Sequence, residues 1–240
     1  GESNEKPLEY YAQNVSGSIE LLKAMQRHDC RRIVFSSSAT VYGEAKYLPY
    51  DELHPLQPTN PYGRTKYFIE EIIRDWAASW KEASAVLLRY FNPVGADASG
   101  RIGEDPNGIP NNLVPYISQV AVGRLKHLNV FGADYETRDG TGERDYIHVD
   151  DLARAHLAAI EFSRTFTGCE AINVGTGRGA TVLEMLQAFE RVSGRAVPCK
   201  IGPRREGDVA RSLAAVDKAE RLLGWKAKLD VADMCRTTWN

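Results

Sequence analysis

Apolar positions recur at helical spacing through the first thirty residues: Val15, Ile19, Leu22 and Met25 share one face of a segment running from Pro7 to His28. A proline near the start suits the first turn of a helix. Arg32 to Phe35 then reads as a short apolar strand that runs into Ser36-Ser37-Ser38. After a proline-rich loop (Pro49, Pro55, Pro58, Pro61) the spacing predicts a helix from about Tyr62 to Trp80, with Phe68, Ile72 and Trp76 as its apolar stripe. Ala85 to Leu88 and Ala171 to Val174 read as strands, and Val149 to Phe162, Thr181 to Ser193 and Asp217 to Leu223 as helices. Such alternation implies βαβ units and a parallel sheet, which takes its ligands at the C-terminal ends of the strands. Ser36 to Ser38 and Arg89 to Asn92 fall at those ends. From Pro93 to about Tyr146 the pattern loosens into Gly, Pro and Asn punctuation, which suits a substrate-facing segment carried on the sheet.

The 240 residues allow one or two domains, and 43% hydrophobic with 26% charged residues is enough for a sizeable core without disorder. A net charge of -2 argues against a general nucleic-acid binder, so any phosphate ligand held by a cluster such as Arg204-Arg205 is small. Cys30, Cys169, Cys199 and Cys235 lack CxxC spacing, which disfavours a metal site and a disulfide framework and suits a reducing, cytoplasmic setting. No apolar run is long enough to span a membrane. The start, Gly1-Glu2-Ser3-Asn4-Glu5-Lys6, has no initiator Met and enters a helix at once, so the sequence reads as a fragment.

Ser36 to Gly43 is answered by Tyr62-Gly63-Arg64-Thr65-Lys66, and the combination has the makings of a redox site. Tyr62 and Lys66, four apart, share a helix face beside the crevice at the strand ends. A phenol with a pKa near 10 serves as a base near neutrality only if cations, such as Lys66 and an oxidised nicotinamide ring, favour its phenolate. Ser38, placed opposite, would hydrogen-bond the same substrate oxygen. YxxxK alone is weak; the serine cluster gives it weight. Gly175-Thr176-Gly177-Arg178-Gly179-Ala180 imitates a dinucleotide loop but is spaced GxGxG, and Arg195-Ala196-Val197 stands where an acidic strand end belongs. It reads as a tight turn into a helix capped by Thr181 with Glu184 three residues on.

Those motifs, with Lys6 to Tyr11, Asn60-Pro61, Leu88 to Gly95 and Arg144-Asp145-Tyr146-Ile147-His148-Val149, make the chain resemble, essentially end to end, the UDP-glucose 4-epimerases of the extended short-chain dehydrogenase/reductase family. The resemblance implies a Rossmann-type doubly wound α/β domain, incomplete at its N-terminus, over 1–91 with 144–174 returning to it, and a smaller α/β UDP-sugar-binding domain over 92–143 and 175–240. It places the GxxGxxG loop and the acidic ribose contact upstream of Gly1 and a short tail beyond Asn240, residues that activity would need. It implies NAD as cofactor, with Tyr62 as base, Ser38 assisting and Lys66 tuning, and with Ser36, Phe91 and Asn14 beside the cofactor. Arg144 and Arg205 match positions that contact the pyrophosphate and Asp208 one that meets the uridine ribose, while Asn92, Asn112, Leu113, Asn129, Val130 and Phe131 line the nucleotide-sugar site. Ser212, four after Asp208, stands where a bulky aromatic would exclude N-acetyl sugars. The resemblance also implies a homodimer through the 7–28 and 62–80 helices. Two alternatives stand beside epimerisation. A 4,6-dehydratase would carry an Asp-Glu pair where Ala39 and Thr40 stand; a non-catalytic UDP-sugar-binding fragment would need no cofactor.

Overall fold

The computed structural model describes residues 2–106, 108–205 and 207–240. In chain order, short helices α1 (Glu2–Glu5) and α2 (Pro7–Tyr10) lead through a π-helical stretch, Tyr11–Ser16, into α3 (Gly17–Arg27). Strand β1 (Arg32–Ser36) ends in a 3-10 turn, Ala39–Val41, and is followed by α4 (Pro61–Ser79), β2 (Ser84–Tyr90) and β3 (Asn92–Val94). Next come α5 (Leu113–Ala121), β4 (Leu128–Phe131), β5 (Glu143–His148), α6 (Val149–Phe162) and β6 (Gly168–Val174). The chain closes with β7 (Gly179–Thr181), α7 (Val182–Ser193), β8 (Cys199–Gly202), β9 (Arg211–Ser212), α8 (Asp217–Leu223) and α9 (Val231–Trp239).

These elements form two compact units. The first comprises residues up to Tyr90, Arg154–Val174 and Ala215–Trp225. Its sheet is parallel in the order β1-β2-β6, a Rossmann-type arrangement. β2 reads as an almost unbroken apolar run because both its faces are covered. Ala85 and Leu87 pack with Leu22 and Met25 of α3 and with Ile69, Ile73, Trp76 and Ala77 of α4, while Val86 and Leu88, on the opposite face, are equally buried. The apolar stripe of α4 therefore runs through Ile69 and Ile73; Phe68, expected in it, is 42% exposed and lies against Tyr11 instead. Asn60 caps α4 by accepting the Gly63 N–H at 2.8 Å, and Pro61 takes the first turn, where a missing N–H costs nothing.

The second unit holds Phe91–Ala153, Gly175–Ala214 and Lys226–Asn240. Residues 144–153, expected in the first domain, belong here because β5 pairs with β3, β7 and β9. Residues 215–225 go the other way: Lys218 of α8 reaches Glu170 of β6 at 2.5 Å. The stretch after Pro93 is more ordered than its punctuation suggests. It contains α5, whose Pro115 breaks the apolar pattern yet sits in the first turn, where proline is tolerated. Val114, Ile117 and Val120 of α5, Met185, Leu186 and Phe189 of α7, and Met234 and Cys235 of α9 share one core with Leu128 and Val130 of β4.

Candidate active site

In the first unit the three serines at the end of β1 have separate tasks. Ser36 is tied at both ends: its carbonyl accepts from Lys66 Nζ at 2.9 Å, and its hydroxyl lies 2.9 Å from His156 Nε2. Ser37 is fully buried and donates to Glu70 Oε1 at 2.5 Å. Ser38 adopts extended backbone and caps the 3-10 turn, accepting from Thr40 N at 3.2 Å and Thr40 Oγ1 at 3.0 Å. Ser38 also acts on the phenol of Tyr62 in the direction that favours the phenolate.

Tyr62 stands in the first turn of α4. Burial, reinforced by the phenols of Tyr90 and Tyr10 and opposed by Ser38, pushes it up to about 12. Lys66 lies one turn on, its Nζ 5.6 Å from the Tyr62 ring centroid and 5.0 Å from that of Phe35. Burial lowers the pKa of Lys66 itself. The firmest bond of Lys66 is to the strand end. Asn14, in the π-helical stretch, donates to Thr65 Oγ1 at 3.0 Å.

Behind the serines runs a buried polar network. Arg89 of β2 grips Glu70 of α4 with Nη2 to Oε2 at 2.6 Å and Nε to Oε1 at 3.0 Å, and its Nη1 donates to Tyr42 OH at 3.2 Å. Tyr42 donates to Asn173 Oδ1 at 2.6 Å; Asn173 in turn donates to Tyr50 O at 2.9 Å and, from its backbone, to Glu52 Oε1 at 2.7 Å. Charges so deep in a sheet persist only when paired and hydrogen-bonded. Glu70 links this network to Ser37, so the turn bearing Ser36 and Ser38 is anchored from behind.

The second unit gathers Arg144, Arg205, Asp208, Ser212 and Phe131. Asp208 accepts from Arg205 Nη2 at 3.0 Å and Nε at 3.2 Å, and Arg144 Nη2 lies 3.7 Å from the same carboxylate. Arg205 sits over the Phe131 ring, 5.6 Å from its centroid. Ser212 stands directly beside Arg144 in the β5–β9 register. Asn112 precedes α5 at its N-cap position without a side-chain capping bond, and its Nδ2 donates to Glu104 Oε1 at 3.2 Å. On β4 the alternation of a strand separates the expected trio: Asn129 and Phe131 are exposed, but Val130 is 1% exposed and belongs to the core. Phe91 is buried and Asn92 exposed at the start of β3.

The glycine turn after β6 also has its explanation. The Asp145 carboxylate accepts from Thr176 N at 2.8 Å, Thr176 Oγ1 at 2.7 Å, Gly177 N at 2.9 Å and Ala214 N at 3.2 Å. Burial raises the pKa of Asp145 against the pull of those bonds. The loop thus cradles an anion from its own chain. A Cβ on Gly175 would stand 2.7 Å from Asp145 Oδ2, which is why glycine is needed there. Thr181 and Glu184 then form the expected capping box.

A family model described as "NAD dependent epimerase/dehydratase family" matches residues 1–175. The chain belongs to this family. UDP-glucose 4-epimerases of Mus musculus and Homo sapiens are each 57% identical to it over 240 residues, covering 100% of this chain and 69% of theirs. Among solved structures, a UDP-glucose-4-epimerase from Stenotrophomonas maltophila with bound NAD and formylated UDP-arabinopyranose superposes with a TM-score of 0.98 at 53% identity, covering 100% of this chain and 71% of that one. The Bifidobacterium longum enzyme in complex with NAD+ and UDP gives 0.94 at 51%, with 100% and 71% covered. For a member of this family, three side chains near Tyr62 were missed from sequence: Tyr10, Thr65 and Tyr90. All three stood inside the quoted motifs, but Tyr10 and Tyr90 lie on other elements and share no spacing with Tyr62, and Thr65 sits between residues with plainer chemistry.

Proposed function

We propose that this chain interconverts UDP-glucose and UDP-galactose by transient oxidation at C4 of the hexose. The observation that carries the reading is the bond from Lys66 Nζ to the Ser36 carbonyl at 2.9 Å, which ties the helix face of Tyr62 and Lys66 to the serine-bearing C-terminal end of a parallel strand. The donor set suits NAD: an ammonium has three donors, and Lys66 directs one to Ser36, leaving the group well placed for a ribose diol. When bound, NAD supplies the hydride acceptor and donor at C4 and a positively charged ring. Tyr62 takes the proton of the 4-hydroxyl at its phenolic oxygen and returns it when the opposite epimer forms. Ser38 holds the same oxygen through its hydroxyl, offsetting charge as it develops. Arg144 and Arg205 hold the diphosphate and Asp208 the uridine ribose, with Phe131, Asn129, Asn112, Leu113 and Asn92 lining the nucleotide-sugar site. Anchoring the diphosphate while leaving the hexose free to turn is what permits return of hydrogen to the other face. Dehydration would require carboxylates for C5 and C6, and Ala39 and Thr40 provide none, the Thr40 hydroxyl being bonded to Ser38.

Proton NMR of UDP-galactose incubated with the protein at its naturally encoded length tests this. UDP-glucose anomeric signals are expected; a 4-keto-6-deoxy product would replace epimerisation with dehydration, and no change would favour simple UDP-sugar binding.

Ser212 extends the reading to UDP-N-acetylglucosamine and UDP-N-acetylgalactosamine, because a small residue beside Arg144 leaves room for a 2-acetamido group. Ser212→Tyr is expected to depress N-acetyl turnover by roughly tenfold or more relative to galactose turnover, since a steric clash typically costs about 1–3 kcal/mol. An unchanged ratio of the two rates would sink the gate.

Association as a homodimer belongs to the same proposal. Leu8 is 81% and Leu21 55% exposed, and with Phe68 they leave apolar side chains on the outer surfaces of α2, α3 and α4. Light scattering is expected to report a dimer; monomer at micromolar concentration would refute it. Among the described residues no helix is long and apolar enough to cross a membrane, and the four cysteines are free, which supports a cytoplasmic location. Fractionation of expressing cells would test that assignment, and recovery in a secreted fraction would overturn it.

A further inference from the structure

The π-helical stretch Tyr11–Ser16 interrupts what would otherwise be a continuous α-helix from Pro7 to Arg27. Such bulges shift helical phase by a residue and recur at functional sites. The consequence here is a chain of two hydrogen bonds. Asn14, inside the stretch, donates from Nδ2 to Thr65 Oγ1 at 3.0 Å, and Thr65, fully buried, donates its own proton to the backbone carbonyl of Tyr62 at 2.7 Å. Tyr10, four residues before Asn14, meets the Tyr62 ring edge-on with centroids 6.4 Å apart.

A threonine bonded to the carbonyl three residues back is common in helices and says little alone. The donor arriving from a second helix changes its meaning. With its one proton given to Tyr62 and a lone pair taken by Asn14, the Thr65 hydroxyl is held from both sides, and the Tyr62 carbonyl is held with it. We propose that Asn14 and Thr65 are positioning residues that fix the backbone of Tyr62 in the first turn of α4 and thereby aim its phenol. The role rests on the reading of Tyr62 as the base, and it gives Asn14 a task separate from contact with the cofactor.

Thr65→Val keeps the side chain's shape and removes the hydroxyl. In the NAD-loaded enzyme it is expected to lower kcat roughly tenfold to a hundredfold while KM for UDP-galactose stays within about twofold, because small misplacement of a catalytic group costs rate rather than binding. Bound NAD, measured by its absorbance after release, and calorimetric UDP affinity are expected to stay unchanged. Thr65→Ser should restore most of the rate. Asn14→Ala, at a half-buried position, should also lower kcat, and the Asn14→Ala/Thr65→Val pair should fall no further than the worse single variant. Full kcat in Thr65→Val, a Thr65→Ser enzyme as slow as Thr65→Val, or additive losses in the pair would each overturn the proposal. Should Thr65→Val not fold, Asn14→Ala with wild-type kcat overturns it equally. Tyr62→Phe run alongside separates the two claims: if it keeps turnover, the base assignment fails and this role with it, whereas if it loses turnover while Thr65→Val does not, only the positioning role falls.

Discussion

Replacing Tyr62 with phenylalanine is expected to lower kcat for UDP-galactose by roughly 10²- to 10⁴-fold, the usual contribution of a positioned base. The exchange removes a single oxygen. Ser38 would keep its place, since it is held as the cap of the 3-10 turn by Thr40. Lys66 is committed to the Ser36 carbonyl and Thr40 to Ser38, and an aliphatic hydroxyl is a far weaker base than a phenolate. UDP affinity should be nearly unaffected because Arg144, Arg205 and Asp208 are untouched. The contrast between collapsed turnover and intact UDP titration by calorimetry is the signature to look for. Unchanged turnover would remove Tyr62 from the mechanism.

The second large effect concerns stability. Glu70→Leu is expected to destabilise the protein by about 3–5 kcal/mol, because it strands the Arg89 guanidinium, 1% exposed, without its carboxylate. It also deprives Ser37 of its acceptor. The double variant Glu70→Leu/Arg89→Met should recover most of that loss, since an apolar pair of similar volume avoids the buried charge altogether. Urea denaturation midpoints of the two variants would show it. A double variant less stable than Glu70→Leu would mean that the bonds of Arg89 to Tyr42 outweigh the cost of burying its charge.

Much of the first unit was legible because its signals are local. Helical spacing after the proline-rich loop marks α4, the apolar run from Ala85 marks a strand, and Ser38, Tyr62 and Lys66 stand in short motifs. The second unit was harder for a physical reason. Its strands are two to six residues long and pair with partners far away in sequence, as β5 does with β3, β7 and β9. No periodicity develops over such lengths, so residues 144–153 were grouped with the first domain. Val130 shows the same limit at one residue: a family position marks it as part of a ligand-lining trio, but strand alternation turns its side chain into the core. The Asn14–Thr65–Tyr62 connection was hidden because it depends on a π-helical stretch, and a change of pitch has no letter code in the sequence.

The turn at Gly175–Gly177 has one more consequence. Its amides point at a carboxylate supplied by its own chain, so the electrostatic role that a similar loop plays toward a diphosphate is already filled before any ligand arrives. A nucleotide approaching this turn would have to displace Asp145 from four donors and leave a buried carboxylate without partners. The loop is in effect self-inhibited as an anion receptor. Under the proposed function, recognition of the diphosphate then falls to the guanidinium groups of Arg144 and Arg205 rather than to backbone amides.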